Sequence, residues 1–153
     1  MADTLEQIWG IGPDNDFIIA LDAHVAEKCG YGEALDALSG PERVFYTAQR
    51  CEEEVNNGGF SQYFFNTGGS MAGELVRAFT EIGAWHTAEI CGRALEAVGT
   101  LPEDADGWQA LMDDLSEEAE AELEACSDAF FRYEDDLNAL NRAYVLEHRA
   151  EFT

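Results

Sequence analysis

Apolar residues recur along most of the chain at intervals of three and four, and no stretch alternates with the two-residue period of a strand. Val44, Ala48, Cys51 and Val55 form one such stripe, and Ala84, Ala88, Cys91, Leu95 and Val98 form another. Ser39-Gly40-Pro41-Glu42 stands ahead of the first stripe as a helix start. Serine can accept a first-turn N–H, glutamate can reach back, and proline's missing N–H costs little there. Asn57-Gly58-Gly59 should close that helix, because Asn and Gly tolerate the left-handed backbone of a helix end. A short aromatic helix then places Phe60, Tyr63 and Phe64 on one face. Gly68-Gly69-Ser70 breaks it, with Ser70 as cap for a helix whose inner side is Leu75, Phe79 and Ile82. Gly83 reads as a hinge, and Gly99 to Gly107, around Pro102, as a loop.

From Trp108 the pattern is long. Trp108, Leu111, Leu115, Ala119, Cys126 and Phe130 can share one side of a helix, and Tyr133, Leu137, Leu140 and Tyr144 continue at helical spacing. One long helix, and two broken near Ser127, fit the pattern equally. The expected fold is all-α: a single compact multi-helix domain with a long acidic C-terminal helical region. Residues 1–32 are an N-terminal helical or arm segment of the same domain, ahead of residues 33–153. A chain of 153 residues, 46% of them hydrophobic, is long and apolar enough for one real core.

Charge changes the picture more than composition does. Thirty-two acids against eight Lys and Arg give a net charge of −24. Such a surface repels nucleic acid and anionic membrane, and makes a basic protein the natural charged partner. Met1 to Gly10 carries Asp3 and Glu6 without a base, unlike a secretory leader, and Phe17-Ile18-Ile19-Ala20-Leu21 is too short to span a membrane. A cytoplasmic location is expected. Cys29, Cys51, Cys91 and Cys126 are widely spaced and read as small buried hydrophobes, and His24, His86 and His148 are equally scattered, so no zinc site is expected.

Fourteen acids and one base, Arg132, lie between Glu103 and Asp136. On a continuous helix, Asp113, Glu117, Glu120 and Glu124 fall in one narrow arc, about 16 Å long, facing away from the apolar side. Asp114 and Glu118 flank it. Like charges at these spacings cost an isolated helix about 0.2–0.5 kcal/mol per pair, so the stripe is not optimised for helix stability. It is either a solvated face kept for solubility or a surface for a partner. Outward carboxylates lack the burial that acid–base catalysis needs. Asp104-Ala105-Asp106-Gly107 lacks the ligand series and closing Glu of a calcium loop. No nucleophile motif and no phosphate-binding loop is present, and Gly30-Tyr31-Gly32 is too short to count as one. No catalytic residue, metal or cofactor is expected.

The densest unusual string is Glu54-Val55-Asn56-Asn57-Gly58-Gly59-Phe60-Ser61-Gln62-Tyr63-Phe64-Phe65-Asn66-Thr67-Gly68-Gly69. Its structural reading is a helix corner in which glycines permit close approach and Asn56, Asn57, Gln62 and Asn66 satisfy helix-end groups. Its functional reading is a small polar pocket walled by Phe60, Tyr63 and Phe64. The string resembles the signature of a bacterial all-α domain shared by DNA-mimic proteins. The similarity continues through Ile82-Gly83-Ala84 to Val98, and from Ser127-Asp128-Ala129-Phe130-Phe131-Arg132-Tyr133 to Glu147-His148-Arg149-Ala150-Glu151-Phe152, covering residues 33 to 153.

The resemblance implies an acidic, all-helical, dimeric protein whose carboxylates stand in for phosphates on the DNA-binding surface of a transcription factor. The string itself holds one acid, Glu54, so it speaks for the fold, and the partner surface is expected elsewhere. The candidates are Asp113, Asp114, Glu117, Glu118, Glu120 and Glu124, with Glu52 and Glu53 beside the string. The leading expectation is a non-enzymatic module that docks on a basic DNA-binding protein, with no direct nucleic-acid or membrane partner. Its rivals are an immunity or antitoxin-like inhibitor of a basic nuclease, and a small-molecule-binding domain at the Asn56–Asn66 corner.

Overall fold

The computed structural model describes residues 3–67 and 71–153. Among these are eight α-helices and no strand: α1 Leu5–Trp9, α2 Asp14–Lys28, α3 Gly40–Thr67, α4 Leu75–Glu81, α5 Trp85–Val98, α6 Ala105–Asp113, α7 Glu117–Phe130 and α8 Leu137–Glu147. The protein is therefore all-α. The expected break and cap at Gly68-Gly69-Ser70 lie outside the described residues.

Helix α3 is the axis of the fold, and its opposite faces serve two apolar clusters. Val44, Ala48, Cys51 and Val55 point into the larger one, with α4, α5, α6 and α7 closing around them. Phe45 and Tyr46 point into the smaller one, built from Ile8, Phe17, Leu21 and Val25 of α1 and α2 together with Val145 of α8. All four cysteines are free and buried, as small hydrophobes should be. Burial pushes the Cys51 thiol well above its ordinary range and that of Cys126 to about 11.

The start of α3 forms as its residues dictate. Glu42 Nα donates to Ser39 Oγ at 3.2 Å, and Ser39 Nα donates to Glu42 Oε1 at 2.9 Å, a closed capping box. Glu42 is also fully buried, and Lys28 Nζ donates to its two oxygens at 2.8 and 2.9 Å. One carboxylate thus caps α3 and ties α2 to it.

The break at Asn57-Gly58-Gly59 is a kink within α3. Gly59 holds φ 79° and ψ −178°, a region open in practice to glycine alone. A Cβ there would lie 2.9 Å from Ser127 Oγ of α7, so the glycine also permits close helix contact. Ser127 Oγ accepts the Phe60 N–H at 2.9 Å and donates to the Leu123 carbonyl, filling a backbone bond that the kink removes.

The acidic C-terminal region departs from the expected pattern. It is three helices, broken at residues 114–116 and 131–136, and α7 runs unbroken through Ser127. The first break follows from Ser116, whose hydroxyl accepts the Ala119 N–H as an N-cap. Glu117, Glu118 and Glu120 then occupy the first turn of α7, where the helix dipole favours anions by about 0.3–1 kcal/mol each. These acids stabilise a helix start, reversing the penalty expected for a continuous stripe. Tyr133 leaves the helical pattern altogether and sits in the loop before α8 with φ 46°. Gly107 belongs to α6 rather than to the preceding loop, and Asp104 accepts its N–H at 2.7 Å as the cap.

Candidate acidic interface

Phe60, Tyr63 and Phe64 are fully buried, and the Phe64 ring stacks on Trp108 with centroids 5.4 Å apart. They belong to the larger apolar cluster and line none of the three grooves described below. The amides of the signature also have other duties than helix ends. Gln62 Nε2 and Asn66 Nδ2 both donate to Glu54 Oε2, at 3.0 and 3.1 Å, so Glu54 clamps the two arms of kinked α3. Asn56 Nδ2 donates to the Tyr133 hydroxyl at 2.7 Å, tying the kink to the α7–α8 loop.

Three open grooves run past this kink and share residues. The first, about 670 Å³, lies between α2, α3 and the start of α8, and is lined by Asp22, Glu52, Glu53, Asp135 and Asp136. Asn56 borders both it and the second groove, about 550 Å³, where Asn57, Gly58 and Gly59 face Glu120, Glu124 and Asp128 of α7. Ser61 and Glu120 border both the second and the third, about 410 Å³, which Gln62, Asn66 and Asp113 line. Nine carboxylates therefore front one continuous surface with the signature at its centre.

Arg50 is the one Lys or Arg that lines these grooves, and its charge is already spent. It pairs with Asp22 and, at 2.8 Å, with Glu53, and its guanidinium lies 5.0 Å from the centre of the Tyr46 ring. The pattern is general: six of the eight Lys and Arg side chains are in ion pairs, so the uncompensated charge is carboxylate.

Burial within the first groove shifts its acids. Desolvation raises Asp22 above its ordinary value despite the opposing Arg50 charge. Desolvation likewise raises Glu52, opposed by a hydrogen bond from Tyr133. The Tyr133 hydroxyl is itself raised, chiefly by burial, while the Asn56 bond pulls it down. Asn56, Tyr133 and Glu52 thus form a short polar chain from the kink into the groove.

The structure redistributes the residues singled out by sequence. Glu52 and Glu53 lie in the first groove, Glu120 and Glu124 in the second, and Asp113 in the third. Asp114, Glu117 and Glu118 are exposed around the α6–α7 corner and line none of the three. Asp113 is not on the arc of α7, because the break at 114–116 separates them. The arc that α7 does carry is Glu117, Glu120, Glu124 and Asp128, within about 80° of one another and about 16 Å long. Its opposite side, Leu123, Cys126 and Phe130, is buried. Asp22, Asp128, Asp135 and Asp136 join the surface without having been singled out. Asp136 had a local signal, a cap-forming acid just before the apolar start of α8, and it accepts the Ala139 N–H. Asp22 had none, because only the packing of α2 on α3 brings it here.

Among the described residues no group of His, Cys, Asp and Glu is arranged to hold a metal ion, and no helix is long and apolar enough to cross a membrane. A family model described as "DMP19-like protein" matches residues 36–148. No curated protein and no solved structure matches the chain.

Proposed function

The chain belongs to the DMP19-like protein family, a family of DNA mimics, and from that premise we propose that it is a non-enzymatic acidic module that competes with DNA for a basic DNA-binding protein. The observation that carries this reading is the continuous acidic surface, nine carboxylates across three adjoining grooves with one cation already neutralised. The four acids of α7 place about one charge per 5 Å of helix, the same order as the ~3.4 Å per phosphate along one DNA strand. Carboxylates alone would suit a surface kept for solubility. This one also exposes Ile19 and Tyr133 in the first groove, Phe131 in the second and Phe65 in the third. Apolar side chains set among charges fit a protein contact, in which charge steers association and apolar area holds the complex.

The test is capture from lysate at low salt followed by elution with duplex DNA. A basic DNA-binding protein should be released by DNA, and a variant with Glu117, Glu120 and Glu124 changed to Gln and Asp128 changed to Asn should fail to retain it while keeping its helical circular dichroism. Retention of no basic protein, or of one that DNA does not displace, overturns the reading.

A further inference from the structure

The second and third grooves join at Ser61 and Glu120 into one trench between the second arm of α3 and helix α7. Its two banks differ. The α3 bank is neutral, with Asn57, Ser61, Gln62 and Asn66, and Glu54 holds the last two in place. The α7 bank carries Glu120, Glu124 and Asp128 at every fourth residue, about 6 Å apart. Each end is apolar. Phe131, 44% exposed, stands at one, and Phe65, 43% exposed, stands at the other with Met112 and Leu115. Phe131 follows Glu120 by eleven residues along α7 and its cap, so the apolar ends are separated by about 16 Å. Among the described residues no Lys or Arg lines the trench.

We propose that this trench is a docking site for an amphipathic α-helix of the basic partner, with its apolar side chains seated at the two ends and its Lys or Arg side chains along α7. The inference rests on the reading above and adds to it the shape of the segment that the surface selects. Carboxylates alone select no shape; the apolar ends do. Two half-exposed phenylalanines about three helical turns apart match anchors at i and i+11, which return to one helix face within about 20°. Bases four residues apart on such a helix repeat at the same spacing of about 6 Å as the acids of α7. An extended segment fits less well. Both banks are helices whose backbone groups are bonded internally, so the N–H and C=O groups of a strand would meet only side chains there. A helix arrives with its own backbone satisfied. The charge difference between the banks fixes which edge of that helix faces α7. The hold of Glu54 on Gln62 and Asn66 keeps the neutral bank in place before docking.

The experiment is an NMR titration of the full chain with three synthetic peptides of equal length and charge, at constant ionic strength. The first is an Ala- and Lys-based helix with two leucines eleven residues apart on one face and lysines at every fourth residue along its edge. The second has serine in place of both leucines, and the third keeps the leucines but has a central proline that breaks the helix. The first should shift the Asn57, Gln62 and Asn66 side-chain amide signals saturably and bind about tenfold more tightly than either control. Phe65→Ser should weaken it about tenfold. Trp85→Ser, which removes an exposed aromatic outside the grooves, should leave it unchanged. If Phe65→Ser does not fold, Phe131→Ser tests the other end of the trench, with the same loss expected.

Equal binding of the leucine and serine peptides, or of the helical and proline-broken ones, would overturn the helix site. Equal weakening by Trp85→Ser, or no saturable shift, would do the same. These outcomes are separate from those of DNA-competitive capture. A DNA-displaced partner that Phe65→Ser and Phe131→Ser still retain at full strength removes the helix site alone, and helix binding without a DNA-displaced partner removes the mimicry reading alone.

Discussion

Replacing Gly59 with alanine probes the joint on which the acidic surface is built. The native φ of 79° with ψ −178° costs a residue with a side chain about 1–3 kcal/mol. The new Cβ would also lie 2.9 Å from Ser127 Oγ, so that hydroxyl must move and the buried Phe60 N–H loses its acceptor. That adds about 1–3 kcal/mol. Central values give about 4 kcal/mol for Gly59→Ala and about 2 kcal/mol for Ser127→Ala, which deletes the same acceptor without backbone strain. With the hydroxyl already gone, the alanine has only Ser127 Cβ to meet, at 3.6 Å. The double variant should therefore lose about 4 kcal/mol, not the 6 of simple addition, a coupling of about 2 kcal/mol. Urea unfolding followed by helical circular dichroism reads this directly. At a slope of about 2 kcal/mol per molar, Gly59→Ala should lower the midpoint by about 2 M. Additivity within about 0.5 kcal/mol would refute the shared-hydroxyl account. A midpoint loss for Gly59→Ala below about 0.5 M would refute the strain as well.

Two further outcomes follow from the same contacts. Glu42→Ala removes a buried carboxylate that caps α3 and binds Lys28. Lys28 is partly exposed and can recover water, so the loss should sit near the low end of a broken buried pair, about 3 kcal/mol, or about 10 °C in Tm. A fall below about 3 °C would show that the pair is not structural. The stability that Asp22 and Glu52 contribute should rise as pH falls from neutrality into the ordinary carboxylate range. Asp22 and Glu52 are raised by burial above their ordinary 3.8 and 4.5, so the folded chain keeps protons that the unfolded chain has already lost. Their contribution is full below the unfolded values and is lost as pH rises through the raised folded ones. Urea midpoints at neutrality and within the carboxylate range check this by difference: an Asp22→Asn, Glu52→Gln variant should lose that contribution relative to the parent, and an identical pH response in the two proteins would contradict the assignment.

What the chain determined by itself was local. Ser39 and Glu42 are three residues apart, so their capping box needs no distant partner. The kink at Gly58-Gly59 follows from backbone freedom written into those two residues. The buried stripes of α3 and α5 are set by the 3.6-residue period, and net charge by counting. The break at residues 114–116 was legible too, through Ser116 and the acids after it, but a sustained apolar period over-rode that signal. The tertiary structure decided everything that depends on long-range packing. Nothing near Asn56 in sequence indicates that Tyr133 will bind it, and nothing near Gly59 indicates that Ser127 will supply the bond the kink removes. Docking of α7 on α3 is what brings Glu120, Glu124 and Asp128 to the signature, and docking of α2 adds Asp22. Charge acts through space and pattern through the chain, so an acidic composition can be read residue by residue while the surface on which it gathers cannot.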